Sequence, residues 1–97
     1  MPTPQQDKII FFIMQERSRQ NELKQRGDFP YTCADTEMLQ SERLAVLVEE
    51  VGEVSRALLN AGQLSNDSSP KELRTELIQC AAICIAWLES LYKPDIF

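Results

Sequence analysis

Leu77-Ile78-Gln79-Cys80-Ala81-Ala82-Ile83-Cys84-Ile85-Ala86-Trp87-Leu88 is the stretch that decides the fold, because Gln79 is its only strongly polar side chain and it holds neither proline nor glycine. It is preceded by Ser69-Pro70-Lys71-Glu72, which matches a capping box with proline at the first helical position, and Pro94 lies just beyond its end. These signals predict a helix from Pro70 to about Tyr92. A helix that is apolar nearly all round must be covered on more than one face. One short chain cannot easily do that, so a partner subunit is expected against this helix, as a homo-oligomer, either dimer or tetramer.

Two more helices read outward from this one. Leu44, Leu47, Val48, Val51, Val54 and Leu58 recur at intervals of three and four, the period of an amphipathic helix that begins between Asp35 and Ser41 and ends near Asn60-Ala61-Gly62. Its buried stripe is expected to centre on Val51. Residues from about Gln5 to Arg26 lack proline and glycine and stop at Gly27, with Ile9 to Met14 read as core. Asp28 to Asp35 reads as an irregular connection, since Pro30 pushes Phe29 out of the α region. Gln63 to Ser69 is a polar linker. The expected architecture is a single all-α domain over residues 1–97, a bundle of three main helices completed by a partner.

Composition narrows the chemistry. At 97 residues, 43% apolar and 26% charged with three glycines, the chain is globular and helical in type. A chain of this size buries roughly 60–65% of the surface its unfolded form exposes, which favours self-association. The net charge of −5 has the wrong sign for gripping a polyanion, so nucleic acid is not an expected partner. No histidine is present, which removes the usual general base and histidine-ligated zinc. Cys33, Cys80 and Cys84 form no C-x-x-C, so reduced thiols and a cytoplasmic location are expected. Cys80 and Cys84 are read as packing residues. The run Ile9 to Met14 is far short of a membrane span, and no membrane partner is expected.

The remaining signal is a set of carboxylates. At 100° per residue Glu50 lies roughly 100° and Glu53 roughly 160° from the Val51 direction, on a second face beside Val46 and Ala57. Glu49 and Glu53 form an i,i+4 like-charge pair that costs a helix about 0.2–0.5 kcal/mol without a cation between them. On the last helix Glu72, Glu76, Gln79 and Ile83 fall within roughly 60° of one another. Antiparallel packing would let Glu50 and Glu53 face Glu76 and bind a hard, oxygen-loving ion, Mg²⁺ or Mn²⁺ rather than Zn²⁺. Such glutamates are more often a solvated face.

The segment Glu42-Arg43-Leu44-Ala45-Val46-Leu47-Val48-Glu49-Glu50-Val51-Gly52-Glu53-Val54, followed by Glu76-Leu77-Ile78-Gln79, resembles the MazG-type members of the all-α NTP pyrophosphatase superfamily. The mark of that family is E-x-x-E on one helix and E-x-x-D on a later one. Glu50 with Glu53 corresponds to the first motif and Glu76 heads the second, whereas Gln79 stands where an aspartate is usual. Ala81-Ala82 to Trp87-Leu88-Glu89 and Glu16-Arg17-Ser18-Arg19-Gln20 resemble a MazG-like subgroup.

The resemblance implies hydrolysis of a nucleoside triphosphate to a monophosphate and pyrophosphate, in a nucleotide-pool house-cleaning role. It implies Mg²⁺ held by Glu50, Glu53 and Glu76, with Gln79 able to add only a carbonyl oxygen and Glu49 the first candidate to take a proton from the attacking water. Arg17, Arg19 and Lys24 are candidate phosphate contacts. Phe12, Phe29, Tyr31 and Trp87 are candidates to stack on a base, although helical aromatics are usually core. If Gln79 abolishes turnover, the alternative is a non-catalytic helical oligomer that binds nucleotide or protein.

Overall fold

The structure, a computed structural model, describes residues 1–60 and 71–97. Three helices follow in order: α1 (Pro4–Gln25), α2 (Gln40–Asn60) and α3 (Lys71–Leu91). Helix is the only regular secondary structure among the described residues, as the periodicity predicts. The expected linker Gln63 to Ser69, the α2 end at Ala61-Gly62 and the Ser69-Pro70 part of the capping box lie outside the described residues.

Local chemistry explains the helix ends. Thr3 Oγ1 accepts a hydrogen bond from the Gln6 backbone N–H at 3.1 Å, and Gln6 Oε1 accepts one from the Thr3 N–H at 2.8 Å. With Pro4 in the first turn this is a capping box that the sequence carries in plain view as Thr3-Pro4-Gln5-Gln6. At the other end Gly27 adopts φ +82°, a backbone region that favours glycine. The N–H of Asp28 bonds to Leu23 O at 2.9 Å and that of Gly27 to Lys24 O at 3.0 Å, which is the Schellman pattern. At the start of α2 the Glu42 carboxylate reaches back to accept from the Leu39 N–H at 2.7 Å.

α3 packs on both α1 and α2, while α1 and α2 do not pack directly on each other. The core is small: Cys33, Met38, Ile83 and Ala86, flanked by Ala34, Val46, Leu47 and Trp87. Half of it comes from the connection between α1 and α2. Arg43 pins that connection, donating from Nε to Cys33 O at 2.9 Å, from Nη2 to Asp35 O at 2.6 Å and from Nη1 to Gln40 Oε1 at 3.0 Å. Asp35 in turn accepts from Lys24 Nζ at 2.6 Å.

Two expectations about burial are corrected. The α2 stripe does not face the rest of the chain, since Val51 is 54% and Val48 58% exposed and Leu44 is also exposed. The inward face runs instead through Arg43, Val46, Leu47, Glu50, Val54 and Ala57, turned by roughly 100°. Intrachain packing therefore meets the mixed face, and the apolar stripe around Val51 is left outward. In α1, Ile9, Ile10, Phe11 and Met14 are exposed and only Phe12 and Ile13 are half-buried, so Ile9 to Met14 is not core within one chain. α3 buries Ala82, Ile83 and Ala86 and leaves Leu77, Cys84, Leu88 and Leu91 exposed on the opposite side.

Candidate active site

A cavity of about 370 Å³ opens where all three helices and the α1/α2 connection meet. α1 contributes Glu16, Arg19 and Gln20, which the i, i+3, i+4 spacing places on one face. Val46 and Glu50 of α2, one turn apart, face Gln79 and Ile83 of α3, also one turn apart. The connection closes the remaining side with Phe29 to Cys33. Pro30 disfavours helix at Phe29 and the segment bends over 28–30, and Phe29 and Tyr31 stay half open to solvent at 49% and 47%. The result is an apolar floor of Val46, Ile83 and Cys33 with an aromatic rim and a few convergent polar groups, the usual composition of a small-molecule site. Burial pushes the Cys33 thiol up, so it serves as wall rather than nucleophile.

Glu50 is the electrostatic centre. Its Oε2 is buried and has no hydrogen-bond partner. Burial raises the Glu50 carboxyl above the usual carboxylate range, and Glu76, Glu53, Glu16 and Glu49 push it in the same direction by charge repulsion. Arg19 is the cation that lines the same cavity, and it sits on Glu16 with Nε to Oε1 and Nη2 to Oε2 both at 2.8 Å. That pairing raises the Arg19 guanidinium, and the charges of Glu16 and Glu50 add to the effect against the opposing influence of burial.

The structure sorts the other sequence-derived candidates. Gln79 lines the cavity beside Glu50. Glu53 and Glu76 act on Glu50 through their charge but do not form its wall, and Glu53 is 3.5 Å from Arg56 on the outer surface. Glu49 is exposed and lines no cavity described here. Arg17 is 4% exposed and committed to Glu89 and Asn21, and Lys24 is committed to Asp35, so neither reaches the cavity. Both are structural because each ties α1 to another part of the fold. Trp87 joins the core and donates from Nε1 to Gln40 Oε1 at 2.7 Å. Phe12 lies under Arg74, whose Cζ is 4.5 Å from the ring centroid.

Glu16 is the site residue that sequence reading misses. Its spacing to Arg19 in Glu16-Arg17-Ser18-Arg19-Gln20 is visible, but only the packing of α1 on α3 brings it toward Glu50. No family model matches the chain, and no curated protein or solved structure is found to be similar to it.

The carboxylates offer oxygen atoms, the donor type a hard cation takes, and Glu50 Oε2 is without a partner while the neighbouring glutamates repel its charge. Among the described residues no three carboxylate or thiol side chains are gathered into a ready coordination shell.

Proposed function

We propose that this chain is a Mg²⁺-dependent nucleoside triphosphate pyrophosphohydrolase, which converts a triphosphate and water to a monophosphate and pyrophosphate. The observation that carries the proposal is the buried, partnerless Oε2 of Glu50 among repelling glutamates at an aromatic-rimmed cavity. A folded protein tolerates such an unpaired acceptor at a cost of about 1–3 kcal/mol, which a ligand that supplies positive charge removes. Of the positions that resemble the MazG-type motifs, Glu50 and Gln79 line this cavity, and Glu53 and Glu76 act on Glu50 through their charge.

Glu50, Glu53 and Glu76 would hold Mg²⁺ or Mn²⁺, with Gln79 as a neutral oxygen donor beside them. Bound there, such an ion would supply positive charge against the phosphates and Lewis acidity toward the attacking water. The chain's own residues do the rest. Arg19, already at the cavity, exchanges Glu16 for a phosphate oxygen, a planar donor pair that suits either acceptor. Phe29 and Tyr31 offer exposed ring faces to a base. Val46, Ile83 and Cys33 exclude water from the inner wall and strengthen every charge interaction there.

The unit at work is proposed to be a homo-oligomer. Leu44, Val48 and Val51 on α2, and Leu77, Cys84, Leu88 and Leu91 on α3, are exposed apolar stripes with the three-and-four spacing of helix pairs that bury a common seam. A second copy offers the same spacing and hydrophobicity in return, which makes it the fitting cover.

The test is pyrophosphate release from a panel of nucleoside triphosphates in Mg²⁺ and then in EDTA. Metal-dependent release that Glu50→Gln abolishes is the expected result. No release from any triphosphate would leave the non-catalytic reading of Gln79 in its place.

A further inference from the structure

A second cavity, of about 480 Å³, lies between α1 and α3. It shares Glu16 and Arg19 with the first, so the Glu16–Arg19 pair stands between the two spaces. The second space has a different chemistry. Its walls carry the guanidinium groups of Arg19 and Arg74, the hydroxyls of Ser18 and Thr75 and the amide of Gln15. Phe12 and Ile78 form its floor. Glu22 and Glu16 balance the two arginines, so the groove is no indiscriminate anion trap and must select by hydrogen-bond donors.

Arg74 is placed differently from the chain's other arginines. Arg17, Arg19, Arg26 and Arg56 each have a carboxylate within 4 Å, and Arg43 is spent on backbone carbonyls. Arg74 has no carboxylate partner among the described residues. Its guanidinium lies over the Phe12 ring, Cζ 4.5 Å from the centroid, and its N–H groups meet no acceptor among the described residues. A planar cation held this way suits a tetrahedral oxyanion, which it can meet with two parallel hydrogen bonds.

Building on the proposed hydrolase activity, we propose that Arg74, together with Arg19, receives the terminal phosphates of the substrate, whose base lies against Phe29 and Tyr31. The bound triphosphate then runs from the connection wall, past Glu50 and the Glu16–Arg19 pair, into the α1/α3 groove. The pyrophosphate product is the half that Arg74 holds. Arg74 binds the end of the molecule that every nucleoside triphosphate shares, and discrimination among bases is confined to the aromatic rim.

Calorimetric titration of the full chain in Mg²⁺ tests this with two probes, inorganic tripolyphosphate and nucleoside monophosphates. Arg74→Met keeps the apolar stem on Phe12 and removes the donors. It is expected to weaken tripolyphosphate binding about tenfold, the equivalent of 1.4 kcal/mol, with monophosphate binding within about twofold of the parent. Tyr31→Leu is expected to show the reverse pattern. Arg74→Lys, which keeps the charge without the planar fork, is expected to fall between parent and Arg74→Met. Equal weakening of both probes by Arg74→Met, unchanged tripolyphosphate binding, or no tripolyphosphate binding by the parent overturns the assignment. Circular dichroism of each variant shows that the helices are retained. A parent that hydrolyses no triphosphate but loses tripolyphosphate selectively in Arg74→Met would sink the hydrolase reading and leave the Arg74 site standing.

Discussion

Arg17 and Glu89 join α1 to α3 through two parallel hydrogen bonds, Nε to Oε2 at 2.6 Å and Nη2 to Oε1 at 2.9 Å. The arginine is 4% and the glutamate 45% exposed, so the pair sits at the edge of the interface, with the cation side sealed. Arg17→Met is expected to lower stability by about 1–3 kcal/mol, the cost of losing charged hydrogen bonds and stranding their partners. In a domain of this size each kcal/mol moves the melting temperature by about 4–8 °C. Glu89→Gln should cost less than Arg17→Met, because its carboxylate is open to water. Thermal melts that rank the two variants the other way would contradict this division.

Arg43 gives a second prediction, for the connection rather than the helices. Its three hydrogen bonds hold Cys33, Asp35 and Gln40 in place, and Lys presents only a point charge that cannot span them. Arg43→Lys is expected to lose about 1–3 kcal/mol and to raise amide exchange across residues 28–38 more than across α3. Uniform exchange across both segments would show that the connection does not depend on this residue.

Glu50 predicts a pH dependence. Its carboxyl is raised above the ordinary value of 4.5, so the folded state binds this proton more tightly than the unfolded state does. The ionised group therefore costs stability at neutral pH in EDTA, and that cost fades as pH falls through the raised value toward 4.5. Glu50→Gln should melt higher than the parent in EDTA at pH 7, with the gap closing near pH 4. Mg²⁺ should stabilise the parent and not the variant. A variant less stable than the parent at pH 7 in EDTA would reverse the sign and remove Glu50 from the frustrated centre.

The exposed stripes predict how the assembly breaks. Val48→Glu or Leu88→Glu places a charge on surface that the chain itself does not bury, so either should yield helical particles of 11.1 kDa by light scattering. Ile83 is 7% exposed in the core, and Ile83→Glu should unfold the chain instead. A parent that already scatters as 11.1 kDa at micromolar concentration would dismiss the oligomer.

By itself the sequence determined the helices. Intervals of three and four, Gly27, Pro30 and Pro94 punctuate the chain through local backbone sterics, and local rules place such boundaries to within a residue or two. Helical rotation also assigned Glu50, Glu53, Glu76 and Gln79 to faces beside apolar surface, of which Glu50 and Gln79 line the cavity and Glu53 and Glu76 do not. Tertiary packing decided which face of α2 turns inward: periodicity shows that two faces exist, roughly 100° apart, and is silent on whether this chain or another covers each. Packing also brought Glu16 of α1 toward Glu50, thirty-four positions later by number, and spent Arg17 and Lys24 on structural partners. Charge repulsion and burial depend on distance in space, which helical spacing governs only within one helix.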